Sequence, residues 1–434
     1  MGNGYALHAS ETTWGTTPTS GYRALEVNVD GHKTTQEILQ HKGLRAARSA
    51  PSAAGRRIVK QKATGTIEVP GYSNGLGIFL RAAASTAAST NTGTLSYTQV
   101  YTWTTGPPSN RAITTEVYRD RRSGTFDVWT YSGGRVTSLE FGQTLDQMLQ
   151  LKFAMDYKSA VRQGTAPTRS ETEVDPDLIY AWPDATITLT PVGGAGTAEC
   201  VQSFSLTLPN ELDVDDWCLK AGVSEVQTIT KSGTWSGGTF TLTVLGVTTA
   251  AIAYDATAAT IQTAIQTAGV PAAYVTATGG PIGSTPLTLT YSDTLGDVAA
   301  VTINVGSVTG STPGATVATP TPGVSSSRHE PMRLSAPSPT GSLAWKYQGP
   351  AYYDAFVAGT EYSLSAVWQG DEGIEADGTV KPSLTISIPS LFFTGDDPEI
   401  SPDAATIQNL PFEVTDNGTD PICTVTVVTS DTTY

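Results

Sequence analysis

Along this chain apolar residues recur at alternate positions in many short runs, broken by clusters of Gly, Pro, Ser and Thr. That is the period of strands with one buried face. One run, Thr64-Gly65-Thr66-Ile67-Glu68-Val69, has an echo in Thr340-Gly341-Ser342-Leu343-Ala344-Trp345. Each is followed at the same distance by a short helix-like piece, residues 75–82 and 351–358, in which Leu80 and Ala82 fall opposite Phe356 and Ala358. Residues 97–103 and 362–368 both open on Tyr and close on Trp. Gln150-Leu151-Lys152-Phe153 answers Asn409-Leu410-Pro411-Phe412, and residues 24–29 answer 203–208. Several echoes in one order point to a tandem duplication.

In the first copy the alternation predicts strands at 22–29, 96–103, 112–119, 124–131, 135–141 and 148–157, with a helical stretch at 35–40. Residues 1–20 are polar, with Trp14 as the one aromatic anchor, and read as an extended arm rather than a core element. Residues 42–62 hold Arg45, Arg48, Arg56, Arg57 and Lys60 among Ala, Ser and Gly. A connection this long and polar is either a solvated basic loop or one ordered by a partner. Residues 85–95 read as a turn region and 161–180 as a linker.

The second copy opens with strands at 186–189 and 201–208 and breaks off after a stretch holding Asp213, Asp215, Asp216 and Trp217. It resumes with strands at 341–346, 362–368, 383–388, 390–393, 406–414 and 423–429. Between the two pieces the composition turns to Thr, Ala, Gly and Val with almost no charge. Strands at 239–245, 274–277, 287–291 and 301–305 surround one helix, with Asp255 as its N-cap, Ala258, Ile261, Ile265 and Ala268 as its apolar stripe and Gly269 as its stop. The expected organisation is an arm and first domain over 1–163, a linker and the start of a second domain over 164–224, an inserted small domain over 225–325 and the rest of the second domain over 326–434. The interruption falls where the first copy has its long basic loop.

The chain of 434 residues has room for such domains. No run of about 18 apolar residues suggests a membrane span, and the N-terminus lacks the regions of a secretory signal. Cys200, Cys218 and Cys423 are too few and scattered for a disulfide framework and read as reduced. Residues 1–163 hold 18 Lys and Arg against 11 Asp and Glu, a balance of +7; the remainder holds 7 against 29, a balance of −22. A basic half joined to an acidic one suggests that the two sit side by side, in one chain or between chains.

Catalytic chemistry finds no foothold. His8, His32, His41 and His329 lack metal-ligand spacing and stand near no nucleophile motif. The Asp213, Asp215, Asp216 cluster reads as solvated surface or a partner for Arg before it reads as a cation site. The Gly-Gly pairs lack the residues of a phosphate cradle. An enzyme is not expected, nor a cofactor.

Taken together, the Glu11-Thr12-Thr13-Trp14-Gly15-Thr16 segment, Arg56-Arg57 before the Thr-Gly-Thr-Ile-Glu-Val strand, the Gly75-Leu-Gly-Ile-Phe-Leu piece and the segment at 124–141, which opens Gly-Thr-Phe and closes Gly-Gly-Arg-Val-Thr-Ser-Leu-Glu-Phe, resemble the major tail tube proteins of long, non-contractile-tailed bacteriophages. The resemblance implies a mainly all-β chain of two tandem tail-tube β-sandwich domains with short flanking helices. Their sheets would pool into an inter-subunit β-barrel around a DNA channel, and the insert would be a small α+β or Ig-like decoration. It also implies rings stacked through the arm and the long loop, with Trp14, Arg45, Arg48, Arg56, Arg57, Lys60, Asp213, Asp215 and Asp216 as candidate interface residues. Implied partners are other copies of the chain, a tape measure protein, a tail terminator and baseplate or tip proteins. Genomic DNA would pass without specific binding, no membrane would be involved, and the site would be the virion tail, assembled in the host cytoplasm. Because the family builds six-fold rings from single domains, a two-domain chain would need three copies, a trimer with pseudo-six-fold symmetry. The competing readings are an adhesin that binds host glycan or protein, which would remain a discrete oligomer, and a glycan-degrading enzyme on a β scaffold, which would need two carboxylates facing each other in a cleft.

Overall fold

The computed structural model describes residues 4–40, 56–104, 111–121, 125–163, 166–169, 171–173, 178–217, 223–282, 284–295, 297–323, 328, 330–375, 378–395 and 406–432. The chain is mainly β. It begins with β1 (Gly4–Ser10), β2 (Tyr22–Ala24), β3 (Val29–Asp30), β4 (Lys33–Gln40), β5 (Arg56–Pro70), helix α1 (Gly77–Ala83), β6 (Thr86–Asn91), β7 (Tyr97–Trp103) and β8 (Ile113–Asp120). Next come β9 (Phe126–Thr144), β10 (Gln150–Tyr157), β11 (Ser159–Gln163), β12 (Glu171–Glu173), β13 (Ala185–Pro191), β14 (Thr197–Glu199) and β15 (Ser203–Pro209). The insert holds β16 (Val226–Val244), β17 (Val247–Thr248), β18 (Ile252–Ala253), α2 (Ala258–Ala268), β19 (Val275–Gly279), β20 (Leu287–Tyr291) and β21 (Thr302–Thr321). After it come β22 (Thr340–Lys346), α3 (Ala351–Ala358), β23 (Tyr362–Gln369), β24 (Ser383–Phe393), β25 (Ile407–Val414) and β26 (Cys423–Thr429).

Two long strands organise the halves, because each changes sheet midway. β9 pairs with β8 and β11 along its first part and with β10 and β15 along its second. Gly133 stands at the corner with φ 70°, where a Cβ would press on Lys158 and Trp14. β24 pairs with β23 and β26 along its first part and with β25 from Leu391 onward. The sequence shows each of these as two runs, since the inward parity is interrupted at the corner.

The same antiparallel plan is laid down twice. In the first half it runs β1 with β2, β1 with β8, β8 with β9, β9 with β11, β9 with β10, β10 with β5, and β5 with β3 and β4. In the second it runs β13 with β14, β13 with β23, β23 with β24, β24 with β26, β24 with β25, β25 with β22, and β22 with β15. The Tyr-to-Trp echo of 97–103 and 362–368 does not follow this plan: β23 takes the place of β8, whereas β7 belongs to a β6–β7 hairpin that extends the other half's sheet by pairing with β26. A Tyr-to-Trp spacing fits any strand with one buried face, so it cannot tell neighbouring strands apart.

The halves share two sheets and one core. β15 lies between β9 and β22, so a single sheet runs β4–β5–β10–β9–β15–β22–β25–β24. Its inward residues, among them Ile67, Val69, Leu139, Phe141, Leu151, Phe153, Leu206, Leu343, Trp345, Leu410 and Phe412, are almost fully buried. Trp103, Trp368, Ile386 and Val425 of the second sheet join the same cluster. Burial of each such side chain stabilises by about 1.5–3 kcal/mol. Trp368 Nε1 donates to Gln143 Oε1 at 2.6 Å, a buried polar contact across the halves.

Several expectations are corrected. Residues 4–10 are not an arm: β1 pairs with β8 along its whole length and buries Leu7 and Ala9, its small residues having hidden the apolar alternation. Residues 35–40 are strand, not helix, because β4 is held by β5 with both faces largely wet and so lacks any apolar period. The connection at 42–62 is shorter than expected, since its last residues belong to β5, and 85–95 includes strand β6. The 161–180 linker includes the end of β11 and the short β12.

The insert forms a separate sheet, β17–β16–β20–β19 with β18 and β21 also on β16, and has its own core around Ile229, Phe240, Leu242, Ile261, Ile265 and Leu289. Thr257, not Asp255, caps α2, accepting from the Thr260 backbone N–H at 3.3 Å; Gly269 ends it in the left-handed region.

Candidate functional site: a polar sheet face and its free edges

The alternation that buries one side of the shared sheet sends a polar row to the other. Register places Glu68, Lys152, Glu140, Thr207, Thr340 and Glu413 side by side across β5, β10, β9, β15, β22 and β25. The next row is Pro70, Gln150, Gly142, Ser205, Ser342 and Pro411. Lys152 Nζ lies 2.7 Å from Glu140 Oε2, and the Ser205 and Ser342 hydroxyls meet at 2.8 Å. With one Lys against three Glu, these two rows are weakly acidic and otherwise neutral, made of Thr, Ser, Gln, Gly and Pro. A duplex brought against them meets no cluster of cations that would release its counterions and hold it.

Among the described residues both ends of this sheet lack a further ladder partner over part of their length: Lys33 to Leu39 of β4 are laddered only with β5, and Ile407, Gln408 and Leu410 of β25 only with β22. Unpaired edges invite another strand. Within the chain such an edge has already been used: the second part of β9 takes β15 in antiparallel register from Ser138 to Thr144.

Charge joins the halves where the basic-to-acidic split suggests. Lys62 pairs with Asp215, Lys60 lies 3.9 Å from it, Arg135 reaches Glu330 at 3.3 Å and Arg23 reaches Asp431 at 2.6 Å. One pair runs the opposite way: Arg328, almost fully buried, binds Asp156, donates to the backbone oxygens of Tyr157 and Val214, and stands over the Trp217 ring. Arg333 donates to Asn210 and to the Thr104 carbonyl. These contacts fix the root of the insert at the corner where β9, and β10 with β11, pass from one sheet to the other.

Of the candidate interface residues, Trp14 lies against its own half: its Nε1 donates to the Gly133 carbonyl at 2.9 Å, Lys158 covers its ring, and Glu11 closes the turn by accepting from Gly15, Thr114 and Gly133. Lys60 and Asp215 meet within the chain, with Lys60 also 3.8 Å from Glu37 and over Trp217. Asp213 Oδ1 accepts from the Asp215 N–H, a local turn, and Asp216 is its neighbour in that turn. Arg56 and Arg57 open β5 opposite Gln40 and Leu39, while Arg45 and Arg48 lie outside the described residues, as does Cys218. Among the described residues no three His, Cys, Asp or Glu gather as metal ligands. Glu68, Glu140, Lys152 and Glu413 escaped sequence reasoning, because which polar positions share a row depends on strand register.

A sequence model of the phage tail tube protein family matches residues 3–291, which takes in the first half, β13 to β15 and the insert as far as β20. No curated protein matches the chain. The match covers more than half of the sequence, and so the chain belongs to the phage tail tube protein family, a structural family of the virion tail that assembles into a tube and is not an enzyme family.

Proposed function

We propose that the chain is a tube subunit of a long, non-contractile phage tail, built from two copies of one tube module, and that its shared sheet lines the DNA channel. The observation behind this reading is the plan of strand pairings found twice, with the copies already joined edge to edge between β9 and β15. A ring forms by repeating that joint between chains: the β4 edge of one copy meets the β24 end of the next, as β15 meets β9. Such a heterologous contact closes if the rotation is right. Three chains, each giving eight strands to the sheet, make a barrel roughly 40 Å across at the backbone, from the ~4.8 Å strand spacing. That leaves room for a duplex inside the side chains of the two rows.

In this reading the rings stack into the tube through which the genome is delivered. The tape measure, tail terminator and baseplate or tip proteins meet it inside and at its ends. The insert, rooted at the sheet corner, decorates the outside. Electron microscopy of the purified full-length protein tests the proposal: the expected images are tubes or rings of three chains with six similar lobes. A ring of six chains defeats the trimer, and a lone chain at every concentration defeats the tube.

A further inference from the structure

Besides the β9–β15 pairing, a second contact closes the joint between the halves. Arg23 of β2 binds Asp431, two residues beyond β26, at 2.6 Å. The Gly75 backbone N–H donates to the same carboxylate at 3.1 Å, and the Thr429 and Ser430 hydroxyls donate to Asn74 Oδ1. A cation of the first half thus meets an anion of the second.

Strand register shows what stands at the equivalent places. Arg23 heads a row that runs through His8, Thr115 and Tyr131 to Ala160 of β11. The matching row runs from Glu199 of β14 through Ile187, Ala366 and Ile386 to Val425 of β26. Each lies next to the pair that opens its last ladder, Ser132 with Ser159 and Ser387 with Thr424. His8, Thr115 and Tyr131 are buried, as are Ile187, Ala366 and Ile386, so the rows also agree in the side they turn inward. The place of Arg23 is therefore held by Glu199, with the charge inverted. Counted on from Val425 and Ala160, the place of Asp431 falls to Ala166, with Arg162 four residues before it and Arg169 three after. Arg169 is committed to Glu116, which is fully buried. Arg162 is half exposed and stands over the Trp129 ring at 5.9 Å, with Arg119 at 4.7 Å from the same ring. It shares Asp127 with Arg121, and one carboxylate between two guanidiniums leaves this place basic. Glu199 is half-buried, its carboxylate steadied by the Tyr352 hydroxyl.

We infer that Glu199 and Arg162 are the two sides of a contact between copies of this chain: the β14 edge of one copy meets the end of β11 in the next, Glu199 standing for Arg23 and Arg162 for Asp431. The inference rests on the tube reading above and adds to it the device that orders the copies. In that reading the β24 end of one chain takes the β4 edge of the next as β9 takes β15. The same placement sets β14 before β11 as it sets β2 before β26. Because equivalent places carry opposite charge, a first half offered to a first half would set Arg23 against Arg162. A second half offered to a second half would set Glu199 against Asp431. Like charges so placed repel. Copies are thereby steered to join head to tail with their halves alternating, the heterologous contact from which a ring closes.

The test is charge exchange in the full-length protein, read as the concentration at which rings or tubes appear by light scattering and electron microscopy. Glu199→Arg and Arg162→Glu should each raise that concentration roughly tenfold. Both changes in one chain should return it to within about twofold of the parent value, since only a direct pair is rescued by exchange. Single variants that assemble like the parent overturn the inference, and so does a double variant no better than the singles. Glu199→Gln is the second measurement, and it decides should Glu199→Arg fail to fold, because it keeps an acceptor for the Tyr352 hydroxyl while removing the charge. It should leave the denaturation midpoint of the unassembled chain unchanged and weaken assembly at low salt, a difference that fades as salt screens the parent's pair. Assembly equal to the parent's at low salt, or a deficit that persists at high salt, overturns the inference while leaving the tube reading intact. Failure of the parent chain to assemble, by contrast, sinks the tube reading itself.

Discussion

The two halves obey one pairing plan but surround it differently. The first half seals its helix within the molecule: β1 and the residues after β15 cover α1, and Phe79 is fully buried. The second half leaves its helix open and spends its corresponding connection on a separate domain rooted by Arg328 and Asp156. One pairing plan can thus be closed or left incomplete according to what lies next to it, a property of interfaces rather than of the plan itself. Edge strands teach the same. β15 is satisfied on both sides only because β9 is there, whereas β4 has a partner on one side among the described residues.

The contrast can be broken most directly at the helices. Phe79→Ala should destabilise the chain by about 3–5 kcal/mol, the cost of a large cavity in a sealed core. Phe356→Ala, on the half-buried side of α3 and opposite Leu80 in the echo, should cost about 1 kcal/mol in the unassembled protein. Chemical denaturation of both variants makes the comparison, and equal losses would show that α3 is as well enclosed as α1. A smaller effect comes from His8, buried in β1 over α1, where burial lowers its pKa from the ordinary value to about 3. The unfolded chain takes up a proton near pH 6.5 that the folded one refuses. Stability should therefore rise with pH between about 3 and 6.5, and His8→Gln should flatten that slope in a denaturation series. Smallest is Lys62→Ala. Its pair with Asp215 is partly exposed, so the loss should stay within about 1 kcal/mol, and a larger loss would mean that the root of the insert depends on this contact as it does on Arg328.

Much of this was legible beforehand, and the failures have physical causes. Alternation located β5, β10, β22, β23 and β25, and the helix at 351–358 was read to the residue, because in each a strong apolar period coincides with burial. Strands β1, β4 and β6 were missed, since small or polar residues conceal the period and their pairing depends on partners far along the chain. The basic-to-acidic imbalance foretold neighbouring halves, and Lys62 with Asp215 and Arg135 with Glu330 are where that attraction is realised. The buried Arg328–Asp156 pair had no signal, because it joins residues 172 positions apart.

By itself the sequence determined which segments have one apolar side, and so that the chain is mainly β, and it marked off the nearly uncharged stretch that carries a sheet and core of its own. Those properties are local, set by residues two or four apart. Only the tertiary structure decided which polar positions stand in one row across six strands, which edges lack a second partner among the described residues, and that α1 is buried almost throughout while α3 is buried only along one side. Register and burial are settled between strands distant in sequence, where local periodicity carries no information about the partner.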